Sequence, residues 1–209
     1  HSRSSKRIKN IVGALIAGIV IYNSIYFRPL DEKLAEEEVV VFDVLNFVDK
    51  MWDADLLTTY DSATDFTILL NLLVNEPNLA FEKEAQALGI GNIGYFKVQG
   101  EGIVLSVNEN NVLIKVGDRI VEIETEFIFG NAVRDASGLI KINDYDETSD
   151  FNSISESIND KIRNEVVPPF KLKVAKGDRI VFKGAIELNN AHLNLDQPEV
   201  IPVSLQIVP

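Results

Sequence analysis

Cysteine is absent from this 209-residue chain, and histidine occurs twice. The lack of cysteine excludes disulfides, thiolate metal sites, a cysteine nucleophile and a lipid attached through cysteine. His1 opens the chain, and His192 lies in a polar stretch with no Gly-x-Ser-x-Gly nucleophile motif to accompany it. The sequence therefore has no recognisable catalytic apparatus. A non-enzymatic function is favoured, and we expect no cofactor.

Basic side chains are in the minority, since 20 Lys and Arg face 32 Asp and Glu for a net charge of −12. Residues 1–28 hold five basic side chains and no acidic one, so the rest of the chain is more acidic than the net charge suggests. An acidic body repels polyphosphate. Nucleic acid is therefore not an expected partner.

Long uncharged runs are rare, and the clearest one, Ile11–Phe27, follows the basic residues of the N-terminus. As a helix it would span about 25 Å, slightly less than a typical hydrocarbon core. A basic flank before an apolar run is typical of a signal anchor, with a cleaved signal or a buried helix as the alternatives. We therefore predict that residues 1–28 form an anchor in the membrane. The positive-inside bias then places the body outside the cytoplasm, facing the periplasm.

Residues 29–95 read as a helical region. Apolar residues recur at helical spacing from Val44 and Leu45 to Leu56, and Thr64-Asp65 and Pro77 mark the starts of two further helices. Gly89–Gly94 matches G-x-G-x-x-G, but a helix precedes it and a strand follows it, the reverse of a dinucleotide site. We interpret these glycines as a helix end and the entry to a strand.

Residues 96–209 contain three predicted strands, a helix and two more strands, which is the order of an OB-fold barrel. Val121, Ile123, Thr125 and Phe127 alternate with Glu122, Glu124 and Glu126, which predicts one buried and one solvent-exposed strand face. The helix, Ser153–Val167, carries Ile154, Ile158, Ile162 and Val166 on one face. It would begin with a Ser153–Glu156 capping box, stop at Pro168-Pro169 and close one end of the barrel. Gly102 and Gly184 stand where strands must bend. We therefore predict an α+β fold, in which an OB-like five-stranded β-barrel carries an N-terminal helical layer and an anchor helix.

Polar density is high in the loop after the third strand, where Asn131, Arg134 and Asp135 stand among apolar residues. Neighbouring Arg and Asp side chains seldom pair, so each is expected to reach a different partner. One interpretation is structural, with Arg134 tied to a carboxylate or to carbonyls of the helical layer and Asp135 capping a turn. The other is that the three residues bind a polar ligand such as a sugar.

The acidic loop Asn143–Asp150 offers a weaker candidate site. Asp144, Asp146 and Asp150 resemble the start of a calcium loop, but the sixth and twelfth positions lack the required Gly and Glu. We therefore expect no metal site, with these three carboxylates as the weaker alternative.

Residues that resemble a known family occur at Trp52-Asp53, Gly100–Val104, Gly130–Asp135 and Phe182–Ala185. The sequence resembles an uncharacterised bacterial family of predicted periplasmic lipoproteins, a domain of unknown function. The resemblance implies a periplasmic place and a partner in a sugar uptake system, and it supplies no catalytic residues. Since cysteine is absent, the uncleaved helix would provide the anchor. The favoured function is a membrane-anchored binding or accessory module, with a transporter or a sugar as partner. The alternatives are a carboxylate-dependent sugar hydrolase and a structural envelope subunit.

Overall fold

The first described helices begin where the sequence supplies a capping carboxylate. The protein is described here by a computed structural model that covers residues 42–87, 91–145 and 147–208. The Asp43 side chain accepts from the backbone N–H of Asn46 at 3.1 Å, and that of Asp65 accepts from Thr67 at 2.9 Å. Each bond satisfies a donor that a helix start leaves unpaired. Within these ranges the helices are α1 (Val44–Met51), α2 (Leu57–Asp61), α3 (Phe66–Asn75), α4 (Pro77–Glu84), α5 (Ala132–Ser137), α6 (Thr148–Lys161) and α7 (Val167–Lys171), with π-helical segments at Trp52–Leu56 and Ile162–Val166 and 3₁₀ turns at Ile142–Asp144 and Asn190–His192.

The apolar stripe predicted for the first helical segment is confirmed in most positions. Val48, Trp52 and Leu56 are buried, whereas Leu45 is 65% exposed. Pro77 occupies the first turn of α4, as predicted, because a missing backbone N–H breaks no helix bond there.

The strands of the described residues are β1 (Thr64–Asp65), β2 (Ala85–Gln86), β3 (Ile93–Val107), β4 (Asn111–Val116), β5 (Arg119–Glu124), β6 (Arg179–Asn189) and β7 (Glu199–Val208).

Five of these strands pair into a closed ring. β3 pairs with β4, β4 with β5, β5 with β7, β7 with β6, and β6 again with β3. The β5–β7 pairing is parallel, and the short strands β1 and β2 add to β3. The helical stretch falls between the third and fourth ring strands, which is the predicted order.

The main hydrophobic cluster joins the ring to α3 and α4. Phe66 of α3 meets Phe182 of β6 edge to face, with ring centroids 5.9 Å apart. Phe81 of α4 meets Phe96 of β3 in the same way at 5.0 Å. Such aromatic pairs contribute about 0.5–1.5 kcal/mol beyond the area they bury. The predicted helical layer therefore packs directly on the ring.

A glycine allows the two strands β6 and β7 to approach each other at a bulge. The pairing of β6 with β7 shifts register between Lys183 and Gly184. A Cβ atom at Gly184 would clash with the backbone carbonyl of Ile201. In β3, a Cβ atom at Gly102 would lie 2.8 Å from the carbonyl oxygen of Lys115. Both glycines thus stand where neighbouring backbone comes too close for a side chain.

The exposure predicted for the alternating residues Val121–Phe127 is wrong at two positions, Glu124 and Phe127. Glu124 is 4% exposed, and its carboxylate accepts from the backbone N–H groups of Thr125, Glu126 and Phe127 at 2.8–2.9 Å. These bonds turn the chain away from the sheet, so β5 ends at Glu124. Because the strand alternation stops there, Phe127 is 58% exposed rather than buried.

The helical stretch predicted as Ser153–Val167 is longer than predicted and contains a π-helical segment, Ile162–Val166, between α6 and α7. It starts at Thr148, so the Ser153–Glu156 capping box is not its beginning. Pro168-Pro169 does not stop it, because the prolines lie in the first turn of α7, where their missing N–H groups cost little. The π-helical segment adds a residue to the turn. The buried stripe therefore continues at Val167 rather than at the predicted Val166, which is half-buried.

The helical stretch meets the ring near its C-terminal end. α6 packs against α1 and α5, whereas the π-helical segment Ile162–Val166 and α7 contact β7 of the ring. The main hydrophobic cluster takes in Phe170 of α7 and Val174 beyond it. The contact with the ring therefore begins within the predicted Ser153–Val167 and continues downstream of it.

The predicted anchor, Ile11–Phe27, lies outside the described residues. None of the helices within residues 42–87, 91–145 and 147–208 combines the length and the apolar character needed to cross a membrane.

Candidate functional site

The predicted site residues lie where the loop after β5 turns into α5. Asn131 precedes α5 and is half-buried, whereas Arg134 and Asp135 are 2% and 3% exposed. Gly130, with φ of +75°, supplies the left-handed conformation that lets the loop enter α5. Asn131 therefore lies near the surface, whereas Arg134 and Asp135 lie beneath it.

Arg134 joins α5 to the start of α6. Its Nε donates to Asp135 Oδ1 at 2.7 Å, and one terminal nitrogen donates to the carbonyl oxygen of Phe151 at 2.8 Å. The guanidinium carbon lies 3.5 Å from the centroid of the Phe151 ring. The expectation that Arg134 and Asp135 reach different partners is wrong, because the two adjacent side chains pair. The bond to the Phe151 carbonyl ties Arg134 to α6 rather than to the helical layer.

Asp135 holds the amide of Asn131 in place. Its second oxygen, Oδ2, accepts from Asn131 Nδ2 at 3.0 Å. A hydrogen bond also joins Asn131 to Tyr95, whose pKa is raised chiefly by burial and by the Glu187 carboxylate. Asn131 thus has a fixed orientation at the edge of the buried pair.

Tyr60 supports the same turn from the helical layer. Its hydroxyl donates to the carbonyl oxygen of Val133 at 2.9 Å. Burial raises the pKa of Tyr60 well above 10.0, and the Asp135 carboxylate adds to the shift. The tyrosine is therefore a neutral donor over the ordinary range of pH.

A cavity of about 310 Å³, here called the polar groove, opens between this loop and α6. Five of its residues recur along one helical face, and the loop contributes an exposed aromatic ring. Its lining residues are Phe129, Gly130, Asn131, Asn152, Ser155, Glu156, Asn159 and Arg163.

The loop side of the polar groove is fixed by bonds from the helix side. Asn159 Nδ2 donates to the carbonyl oxygen of Gly130 at 2.8 Å, and Arg163 donates to that of Ile128. The Arg163 guanidinium also lies 5.0 Å from the ring centroid of Phe129, which is 64% exposed. The groove walls are thus held together without a ligand.

One polar atom on the groove wall has no protein partner. Ser155 is 7% exposed, and its Oγ forms no hydrogen bond within the described residues. A buried hydroxyl without a partner is uncommon because its desolvation goes uncompensated.

A larger cavity of about 470 Å³ lies between α1 and the segment after α5. Its lining, which includes Phe47, Met51, Leu139 and Ile140, is mostly apolar. It contains none of the predicted site residues, and none of the unpartnered atoms. The polar groove is therefore the better candidate for specific recognition of a polar ligand.

The acidic loop provides no metal centre within the described residues. Asp144 ends a 3₁₀ turn and Asp150 lies in the first turn of α6, while Asp146 falls outside the described residues. In the described part of the chain, no three His, Cys, Asp or Glu side chains come together in a group that could hold a metal ion.

Sequence reasoning identified Asn131 but missed the helix wall of the groove. The signal was present, because Asn152, Ser155, Glu156, Asn159 and Arg163 recur at spacings of three and four residues. That polar stripe runs beside the apolar stripe from which the helix was predicted.

The comparisons with known proteins agree with this architecture. An OB-fold protein from Thermotoga maritima MSB8 is 26% identical, with a TM-score of 0.72 over 80% of this chain and 99% of that one. No curated protein matches the chain. Residues 15–206 match the family described as predicted periplasmic lipoprotein (DUF2291), which also bears out the resemblance noted in the sequence. The chain therefore belongs to the DUF2291 family of predicted periplasmic lipoproteins.

Proposed function

We propose that this periplasm-facing chain is a non-enzymatic binding module that holds a hydroxyl-rich ligand, such as a sugar, in the polar groove. The observation that carries the proposal is the surface of the groove, where the amide of Asn152, the carboxylate of Glu156 and the exposed Phe129 ring lie together. A sugar offers hydroxyls for polar groups and an apolar C–H face for an aromatic ring. The chemistry of the groove and that of the ligand are therefore complementary.

The anchor and the partner belong to the same proposal. Ile11–Phe27 would hold the module at the membrane, where a bound sugar could pass to or from an uptake system. Asn131 would contact the ligand. Arg134 and Asp135 would act from beneath, because both are buried and bonded within the protein.

The carboxylates around the groove favour binding over hydrolysis. Glycoside hydrolysis ordinarily needs two carboxyl groups facing each other across the scissile bond. Glu156 is the one carboxylate among the lining residues, all of which belong to the described part of the chain. A hydrolase mechanism would therefore need a second acid from beyond the groove.

The proposal is tested by titrating the purified protein with D-glucose, D-ribose and D-xylose in a calorimeter. Asn152→Ala and Glu156→Ala, two exposed groove positions, should weaken binding about tenfold or more while stability stays within about 0.5 kcal/mol of wild type. Asn164→Ala is the matched control, because Asn164 is an exposed amide of the same helical stretch that does not line the groove.

Binding that both groove variants leave unchanged would place the sugar elsewhere on the protein. If none of the three sugars binds, a monosaccharide-binding function is refuted.

A further inference from the structure

We infer that the polar groove selects ligands that donate hydrogen bonds, so that neutral sugars and amino sugars bind and sugar acids are rejected. The inference rests on the proposed function and specifies its ligand class. It follows from which donors and acceptors of the lining residues are already used inside the protein.

Each of three nitrogen donor groups in the groove already makes a bond within the protein. Asn159 Nδ2 donates to the Gly130 carbonyl at 2.8 Å, and Asn131 Nδ2 donates to Asp135 Oδ2 at 3.0 Å. The Arg163 guanidinium donates to the carbonyl of Ile128 and to the carboxylate of Asp160. A ligand anion would therefore share each of these donor groups with an oxygen of the protein.

The groove's acceptors are open. The Glu156 carboxylate has no hydrogen bond or ion pair to the described residues, and the same holds for the side-chain oxygen of Asn159. The exposed amide of Asn152 adds a donor and an acceptor at the rim. A ligand O–H or N–H group can donate to these acceptors without breaking a bond inside the protein.

Charge acts in the same direction. Arg163 is the cation of the groove, and its pair with Asp160 offsets its positive charge. The Glu156 carboxylate then faces the ligand with no paired cation, in a protein whose net charge is −12. A ligand carboxylate would meet a like charge, whereas a protonated amine would meet an opposite one.

The experiment compares D-glucose, D-glucosamine and D-glucuronate on the full chain by calorimetry at low and high salt. These sugars share a ring and differ at one carbon each, by an amine or by a carboxylate. We expect glucosamine to bind at least as tightly as glucose, and glucuronate to bind about tenfold or more weakly. Added salt should reduce the difference between glucosamine and glucuronate.

Glu156→Gln keeps the size of the side chain and removes its charge. It should bring the three affinities closer together, mainly by improving glucuronate relative to glucosamine. Asn164→Asp serves as the control, since it adds a charge on the same helical stretch away from the groove.

The possible results separate the two claims. Glucuronate that binds as tightly as glucose, or unchanged differences among the three affinities in Glu156→Gln, overturns the inference and leaves the binding function standing. If none of the three sugars binds, the inference and a hexose-binding function fail together.

Discussion

Replacing Arg134 by methionine should destabilise the protein far more than the loss of a surface ion pair. Arg134 is 2% exposed and contacts both the Asp135 carboxylate and the Phe151 carbonyl. Methionine retains an apolar stem that can pack on the Phe151 ring, but it removes the charge. The Asp135 side chain, which is 0% exposed, would then keep a buried carboxylate with Asn131 as a remaining partner.

The expected loss is about 3–5 kcal/mol, the usual cost of removing one member of a buried ion pair. This is a large share of the roughly 5–15 kcal/mol that stabilises an ordinary domain. Part of the cost comes from the Phe151 carbonyl, which loses its donor. If the pair acts as a unit, Arg134→Met with Asp135→Asn should cost less than the two single changes added together, by about 0.5–3 kcal/mol.

Urea unfolding followed by the fluorescence of Trp52 measures these effects, because Trp52 is the one tryptophan and is 5% exposed. Arg179→Ala is the control. Its pair with Glu101 is solvent-exposed, so its removal should change stability little. An Arg134→Met protein within about 1 kcal/mol of wild type would refute the reasoning that Arg134 compensates a buried charge. A double variant that shows strict additivity would refute the coupling.

Three further predictions concern other parts of the fold. Ile158→Asp should prevent folding or lower the melting temperature sharply in a thermal scan, because Ile158 is 0% exposed and a lone carboxylate would be buried there; an unchanged melting temperature would contradict this burial. Gly184→Ala should lower the free energy of unfolding in urea by about 1–3 kcal/mol, because the added Cβ clashes with neighbouring backbone. Gly91→Ala is the control and should cost clearly less, because a Cβ there has nothing within 4 Å. Equal losses of stability in the two variants would contradict the clash. Burial, and next the Glu124 carboxylate, raise the pKa of Glu199 above 4.5, so this residue's contribution to stability is lost as pH rises through its folded pKa. Glu199→Gln should therefore be more stable than wild type at pH 7, with the advantage lost as the pH falls through the folded pKa toward 4.5, and an advantage that does not change with pH would contradict it.

The strand order and the starts of α3 and α4 could be predicted because they depend on local chemistry. Alternating apolar residues such as Val121 and Ile123 predict a half-buried strand, and Asp65 predicts a helix start through a bond two residues along the chain. Glu124 could not be placed in this way. Its three backbone donors lie in the turn that the carboxylate itself stabilises, so the alternation gave the opposite exposure.

The helix after β5 and the groove show the same limit. Pro168 normally predicts a helix end, but the preceding π-helical segment allows it to begin a new turn. The loop was singled out from its polar residues, yet the pairing of Arg134 with Asp135 depends on burial beneath α6. The groove itself exists because Gly130 meets Asn159, a contact 29 positions apart in sequence. No local pattern encodes such a contact.

The closure of the strand ring has a consequence for local opening. β5 and β7 meet at two register pairs, Glu122 with Glu199 and Ile123 with Val200, whereas β3 and β6 share a long antiparallel pairing. Two glutamates stand directly opposite at this junction, and like charges in that position repel. The ring therefore resembles an open sheet whose edge strands, β5 and β7, are joined by a short and weak pairing. The amide proton of Glu122, which donates to the Pro198 carbonyl, should exchange with solvent deuterium before those of the β3–β6 pairing, because separating two pairs exposes little else.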